Sequence, residues 1–251
     1  MIFLDLLSTF LISALFSGLI ATSSGGVPIL FIKRSLHRRS FDLMNGFAAG
    51  LMLAASVFSL LIPGLELGGL IPTSLGFIVG VAFILLLKDR VHIFYYKLRG
   101  QSLDKGFSKA LIIFIALTLH NMPEGLSVGV AFASSSLALG FSVALAIGIQ
   151  NIPEGFAVAA PLFKSGYSRK KAFMYSVFSG VVEPINAILG YILVSLMVEI
   201  LPYAFGFCAG AMMFVVINEM IPEAQHDEYL DKSTLSIMFG FLVMFILDKA
   251  L

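Results

Sequence analysis

Charge is what this sequence has least of. Of its 251 residues only 12% are charged, against roughly 25% in an ordinary soluble domain. Hydrophobic residues make up 59%, and mean hydropathy is +0.98. A soluble globule of this composition could not cover its own surface. Intrinsic disorder is excluded as well, since it needs low hydrophobicity and high charge. Sixteen Lys and Arg against fifteen Asp and Glu leave a net charge of +1, which offers no basic footprint for a nucleic acid. A single cysteine, Cys208, excludes a disulfide framework and a CxxC zinc site. Tryptophan is absent, so interfacial anchoring falls to tyrosines such as Tyr95, Tyr96, Tyr167 and Tyr229. The first apolar stretch lacks a basic leader, carries Asp5 and runs too long for a signal peptide. What remains is an all-α, polytopic membrane protein.

A bilayer crossing takes roughly 20 residues, so a chain of this length holds eight spans. Apolar runs place them at 4–32, 45–65, 70–87, 110–133, 137–163, 172–196, 200–222 and 234–250, within one transmembrane domain, 1–251. The basic residues test this count. Lys33, Arg34, Arg38 and Arg39 follow span 1. Lys88, Arg90, Lys97, Arg99, Lys105 and Lys109 follow span 3. Lys164, Arg169, Lys170 and Lys171 follow span 5, and Lys232 follows span 7. Fifteen of sixteen basic residues thus fall on one side, with Lys249 alone on the other. A miscounted span would scramble that alternation. The positive-inside rule then puts the basic loops in the cytoplasm and both termini outside. Small size and short loops point to a bacterial inner (plasma) membrane.

The sequence also repeats itself. His120-Asn121-Met122-Pro123-Glu124-Gly125 in span 4 returns as Gln150-Asn151-Ile152-Pro153-Glu154-Gly155 in span 5, thirty residues on. Gly46-Phe47-Ala48-Ala49-Gly50 in span 2 matches Gly206-Phe207-Cys208-Ala209-Gly210 in span 7, at an offset of 160. Phe16-Ser17-Gly18 in span 1 matches Phe178-Ser179-Gly180 in span 6, at an offset of 162. Matched spans cross the membrane in opposite directions. The expectation is an inverted repeat of spans 1–3 and 6–8 around central spans 4–5, the plan of secondary transporters whose site lies near the midplane.

At i and i+4, His120 and Glu124 share one helix face, as do Gln150 and Glu154. Pro123 and Pro153 interrupt the helical hydrogen bonding beside them, and carbonyls freed within lipid need partners. Four carboxylates fall deep in spans, Glu124, Glu154, Glu183 and Glu219, with no Lys or Arg at similar depth. An ionised, unpaired carboxylate there costs several kcal/mol or more. These groups must hold protons or cations, and imidazole, amide oxygen and carboxylate together suit a divalent transition metal.

The paired H-N-x-P-E-G and Q-N-x-P-E-G motifs, in a small protein of eight spans, resemble the ZIP family of divalent metal-ion (zinc/iron) transporters. The resemblance extends to Ala49-Gly50-Leu51-Met52, Val182-Glu183-Pro184 and Asn218-Glu219. It implies transport of zinc into the cytoplasm through an intramembrane binuclear centre, by one helix bundle sliding against another. One ion would take Met52, His120, Glu124, Gln150 and Glu154. The second would take Asn121, Asn151 and Glu183, with Glu124 and Glu154 bridging. Many relatives carry His where this chain has Gln150, which leaves room for iron, cadmium or manganese alongside zinc. Some relatives carry a carboxylate where this chain has Asn151. A homodimer is compatible with this reading.

Ser59 and Glu219 occupy matching repeat positions: Ser59 is a candidate pathway residue, Glu219 an exit group, a group supporting the ligands from outside, or an ordinary helix-end carboxylate, and Glu66 an attracting group at the outer mouth or a solvated loop charge. The loop run His226-Asp227-Glu228 with Asp231 is a candidate receiver of metal at the inner side. Gly76/Gly80, Gly125/Gly129 and Gly206/Gly210 read as helix-packing pairs. The rival function is a proton- or sodium-coupled solute transporter with the carboxylates as proton relays. An enzyme is not expected: an intramembrane metalloprotease would need H-E-x-x-H, which is absent.

Overall fold

Within hydrocarbon, backbone N–H and C=O groups have no water to bond, so a chain this apolar satisfies them internally as helices. The computed structural model describes residues 2–32, 38–99, 121–134, 136–164, 166–225 and 230–250, and among these there is helix but no strand. Helix α1 runs Ile2–Ala14, passes through a π turn at Leu15–Ile20, and ends in Ala21–Gly26 and a 3-10 turn, Val27–Leu30. Helix α2 comprises Arg38–Ala55, a π turn at Ser56–Leu61 and Ile62–Gly68. Helix α3 is Leu70–Arg99. The described part of α4 is 121–133. Then come α5 (Leu137–Lys164) and α6 (Arg169–Leu196). Helix α7 joins Val198–Ile200, Leu201–Val215, a π turn at Val216–Met220 and Ile221–Ala224, and α8 is Leu230–Ala250.

Seven of these helices are long and apolar enough to cross a membrane. The eighth expected span, 110–133, lies outside the described residues as far as residue 120. The observed helices overlie the other expected spans, with one clear difference. Span 3 was expected to stop at 87, yet α3 continues as helix to Arg99. The charged and aromatic residues that end the apolar run have no helix-breaking Gly or Pro before Gly100, so the helix outlasts the hydrophobic stretch.

The helices sort into two groups. Helices α1, α5 and α6 pack on one another, and α4 joins them through α6, where a Cβ on Gly129 would come within 2.0 Å of the Ala187 carbonyl. In the second group α3 packs along α7 and α8 along α2, while α2 also meets α7. Helices α2 and α5 form the main seam between the groups. Hydrophobicity cannot drive helices together inside lipid, so contact rests on small residues that let backbones approach. Gly80 and Gly206 on the α3–α7 pair leave room for the Phe207 and Thr73 carbonyls, at 2.1 Å from each hypothetical Cβ. Gly240 and Gly46 on the α8–α2 pair do the same for the Phe47 and Ser233 carbonyls, at 2.2 and 3.1 Å. Each of these contacts has its counterpart 160 residues away.

Backbone against backbone cannot yield as a flexible side chain can. Gly80→Ala is therefore expected to destabilise the protein by at least the about 1–3 kcal/mol of an overpacked core. Gly148→Ala, whose Cβ would meet its nearest neighbour at 3.4 Å, is expected to be near neutral. Thermal unfolding in detergent checks the pair, and equal melting temperatures would contradict the packing described.

Candidate functional site

The centre of the first helix group is polar. Asn121, Glu124, Gln150, Asn151 and Glu183 are each at most 2% exposed, and Glu154 is 7% exposed. Gln150 of α5 meets Glu124 of α4, while Asn121 of α4 and Asn151 of α5 turn to α6, which contributes Glu183. Gly18, Gly125 and Gly155 allow the approach. A Cβ at Gly125 would lie 2.3 Å from the Glu183 carbonyl, and one at Gly155 1.8 Å from the Thr22 carbonyl.

Two hydrogen-bonded sets fill the centre. Gln150 Nε2 donates to Glu124 Oε1 at 2.8 Å. Glu183 accepts from Asn121 Nδ2 at 2.8 Å and Thr22 Oγ1 at 3.1 Å on Oε1, and from Asn151 Nδ2 at 2.6 Å on Oε2. Hydrogen bonds to a charged group contribute about 1.5–3 kcal/mol each, so this set ties α1, α4, α5 and α6 together through one carboxylate. Glu154 lies within electrostatic reach of both Glu124 and Glu183. Glu124 Oε2, Gln150 Oε1 and Asn151 Oδ1 are buried acceptors without a hydrogen-bond partner among the described residues. Bare buried oxygens of this kind are costly, and a cation is the partner that carboxylate and amide oxygens can share. Among the described residues no three His, Cys, Asp or Glu side chains are gathered into a ready-made metal cluster.

The remaining expected residues fall as follows. His120 lies outside the described residues, as do His226, Asp227 and Glu228. Met52 is buried at 2% exposure on α2, within the main apolar core and on the helix that forms the seam with α5. Glu66 is exposed near the end of α2. Ser59 and Glu219 sit in the π turns of α2 and α7, a local widening of the helix common at functional sites.

The sequence suggested that Glu219 had no counter-ion, and the structure corrects this: Lys88 Nζ lies 3.8 Å from Glu219 Oε1. The extension of α3 beyond its apolar run is what brings Lys88 there. At the repeat-related position Ser59 Oγ donates to Asp248 Oδ1 at 2.8 Å, with Lys249 3.2 Å from the other oxygen. Asp248 and Thr22 were missed in the sequence. The signal for Asp248 was available, because it stands 160 residues after Lys88 as Glu219 stands after Ser59. Thr22 carried no signal in the sequence, since a threonine in an apolar span has no distinguishing pattern.

Comparison with known proteins shows the family. Residues 96–248 match the model of the ZIP zinc transporter family, a stretch that contains both halves of the paired motif. The chain belongs to the ZIP family. Relatives of similar length include the zinc transporter GufA of Myxococcus xanthus, 36% identical over 252 residues that cover 96% of this chain and 98% of the relative. The zinc transporter ZIPB of Bordetella bronchiseptica is 37% identical over 245 residues, covering 94% of this chain and 79% of the relative. The zinc transporter ZupT of Chlorobaculum parvum is 33% identical over 247 residues, covering 90% and 91%. This ZIP protein is thus an integral membrane transporter of divalent metal, and not an enzyme.

The Lys88–Glu219 pair is partly exposed on both sides, at 29%, so a double-mutant cycle with Lys88→Ala and Glu219→Ala should give a coupling of under about 1 kcal/mol. That coupling should shrink further in high salt. A salt-independent coupling of several kcal/mol in detergent would show a buried pair instead.

Proposed function

We propose that this ZIP protein carries zinc from outside into the cytoplasm, binding it between α4 and α5 on Glu124, Gln150 and Glu154, with His120 and Met52 completing the set. Asn121, Asn151 and Glu183 form the adjoining position, to which the resemblance gives a second ion bridged by Glu124 and Glu154. The observation that carries the reading is the convergence of buried carboxylates and amides around three oxygens that have no hydrogen-bond partner among the described residues. The names of the relatives supply zinc as the ion. Gln150, a neutral oxygen ligand, leaves the site open to iron, cadmium and manganese as well.

The transport architecture is proposed to be an inverted repeat within a single domain, 1–251. Three features support it. The Gly80–Phe207 and Gly240–Phe47 approaches are related by one offset. The π turns of α2 and α7 fall at matched positions. So do the polar pairs Lys88–Glu219 and Ser59–Asp248. The two helix groups would then move as bodies along the α2–α5 seam. Ser59, Glu66 and Glu219 would mark the path from the outer mouth to the inner one. Basic loops in the cytoplasm and both termini outside follow from the Lys/Arg asymmetry, in a bacterial inner membrane.

Purified protein is expected to bind zinc, and Glu124→Ala combined with Glu154→Ala to weaken that binding by at least about 100-fold, beyond what the loss of an outer supporting group costs. Wild-type protein that binds no zinc, cadmium or iron would overturn the reading. Uptake of radioactive zinc, iron, manganese and cadmium into proteoliposomes then ranks the ions. Transport of an organic solute that a chelator leaves intact would favour proton- or sodium-coupled solute transport.

A further inference from the structure

At the position assigned to a second ion, both Glu183 oxygens are engaged by hydrogen bonds, and Asn151 Oδ1 is the acceptor left without a partner among the described residues. Asn151 Nδ2 donates both to Glu183 Oε2 and to the Ser17 carbonyl, at 2.6 and 2.8 Å. Asn121 Nδ2 donates to Glu183 Oε1 at 2.8 Å and reaches the Ser179 carbonyl at 3.4 Å. A backbone carbonyl can only accept. The two carbonyls therefore fix the amides with nitrogen, not oxygen, toward Glu183. The oxygen of Asn121 is also engaged, as it accepts from Ser179 Oγ at 3.3 Å. Thr22 Oγ1 supplies a third donor to Glu183 at 3.1 Å. All four side chains are at most 1% exposed.

Thr22 has little freedom to leave. Its own carbonyl accepts from Ser176 Oγ at 2.8 Å and faces Gly155, where a Cβ would be only 1.8 Å away. The arrangement follows the repeat: Ser17 and Ser179 differ by 162 and Asn121 and Asn151 by thirty, so each asparagine bonds the carbonyl equivalent to its partner's. The Glu183 carboxylate thus sits between two equivalent amides.

We propose that Thr22, Asn121 and Asn151 form a clasp on Glu183 that takes the place of a second metal ion, so that this chain binds one divalent ion, at Glu124, Gln150 and Glu154. The inference rests on the zinc-binding reading above. For both asparagines to offer oxygen to a cation on Glu183, both amides would have to turn over. That would strip Glu183 of its N–H donors and leave the Ser17 and Ser179 carbonyls bare, which is costly for buried acceptors. A carboxylate at position 151 would reverse the balance. It has no N–H to give, it would repel Glu183, and the pair would need a cation between them. Thr22 is a positioning residue: its hydroxyl holds Glu183 Oε1 toward α1.

The test is metal stoichiometry by equilibrium dialysis of the purified full-length protein against zinc, with metal and protein both quantified. Wild type is expected to hold one equivalent and Asn151→Asp two. Thr22→Val is expected to admit a weaker second equivalent at high zinc that Thr22→Ser does not, since serine keeps the hydroxyl. Two equivalents in wild type, or one in a folded Asn151→Asp, would overturn the clasp. Thr22→Val that titrates like wild type would overturn the part given to Thr22. If Asn151→Asp does not purify as a single species, the Thr22 pair and the wild-type count decide alone. Zero equivalents in wild type would sink the zinc reading itself, a different outcome from any of these.

Discussion

A carboxylate inside a bilayer is the constraint around which this protein is organised. Ionised and unpaired it would cost several kcal/mol, and this chain buries Glu124, Glu154 and Glu183 together. The fold answers with neutral donors. Glu183 gathers two amides and a hydroxyl from three other helices, and Glu124 takes one amide from α5. Each donor offsets part of the desolvation while leaving oxygens open on the other side. Because the donors sit on α1, α4 and α5, that electrostatic requirement also fixes how those helices pack against α6.

Such close packing is possible only where side chains are small. A hydrogen bond of 2.6 Å between Asn151 and Glu183 needs backbones closer than any Leu–Leu contact allows. Gly125 and Gly155, one in each half of the paired motif, provide that proximity. The same residues that read as a metal motif therefore also serve as packing sites, and chemistry and architecture are not separable here. At the membrane's two sides the solution changes. Lys88 meets Glu219 where the helix pair reaches partial exposure, and Ser59 meets Asp248. The Lys88–Glu219 pair, 29% exposed on both sides, carries less energy than a buried pair would.

Much of the fold was legible because membrane helices obey a simple rule: apolar length. Seven helices overlie the expected spans, and α3 departs only at its inner end, where helix continues after hydrophobicity stops. The helix-packing role of Gly76, Gly80, Gly206 and Gly210 was also readable, since small residues four apart line one helix face. Of the candidate site, Asn121, Glu124, Gln150, Asn151, Glu154 and Glu183 were all marked by motif and depth, and the structure brings them to one polar centre. Thr22 was not, because a threonine in an apolar span has no distinguishing pattern until its partner is known. Lys88 was read as a loop charge, because only the helical extension of α3 turns it toward α7.

By itself the sequence determined the membrane class, the positions of seven spans and the inventory of candidate donors and acceptors, since composition and periodicity depend only on local residues and the thickness of lipid. Which atom of each amide faces Glu183 was decided by the tertiary structure alone. That choice depends on the carbonyls of Ser17 and Ser179, which lie 134 and 58 residues away along the chain. No local pattern encodes them. The π turns of α2 and α7, and the pairing of Ser59 with Asp248 and of Lys88 with Glu219, belong to the same class. They arise when two helices far apart in sequence settle the register in which their polar groups can meet.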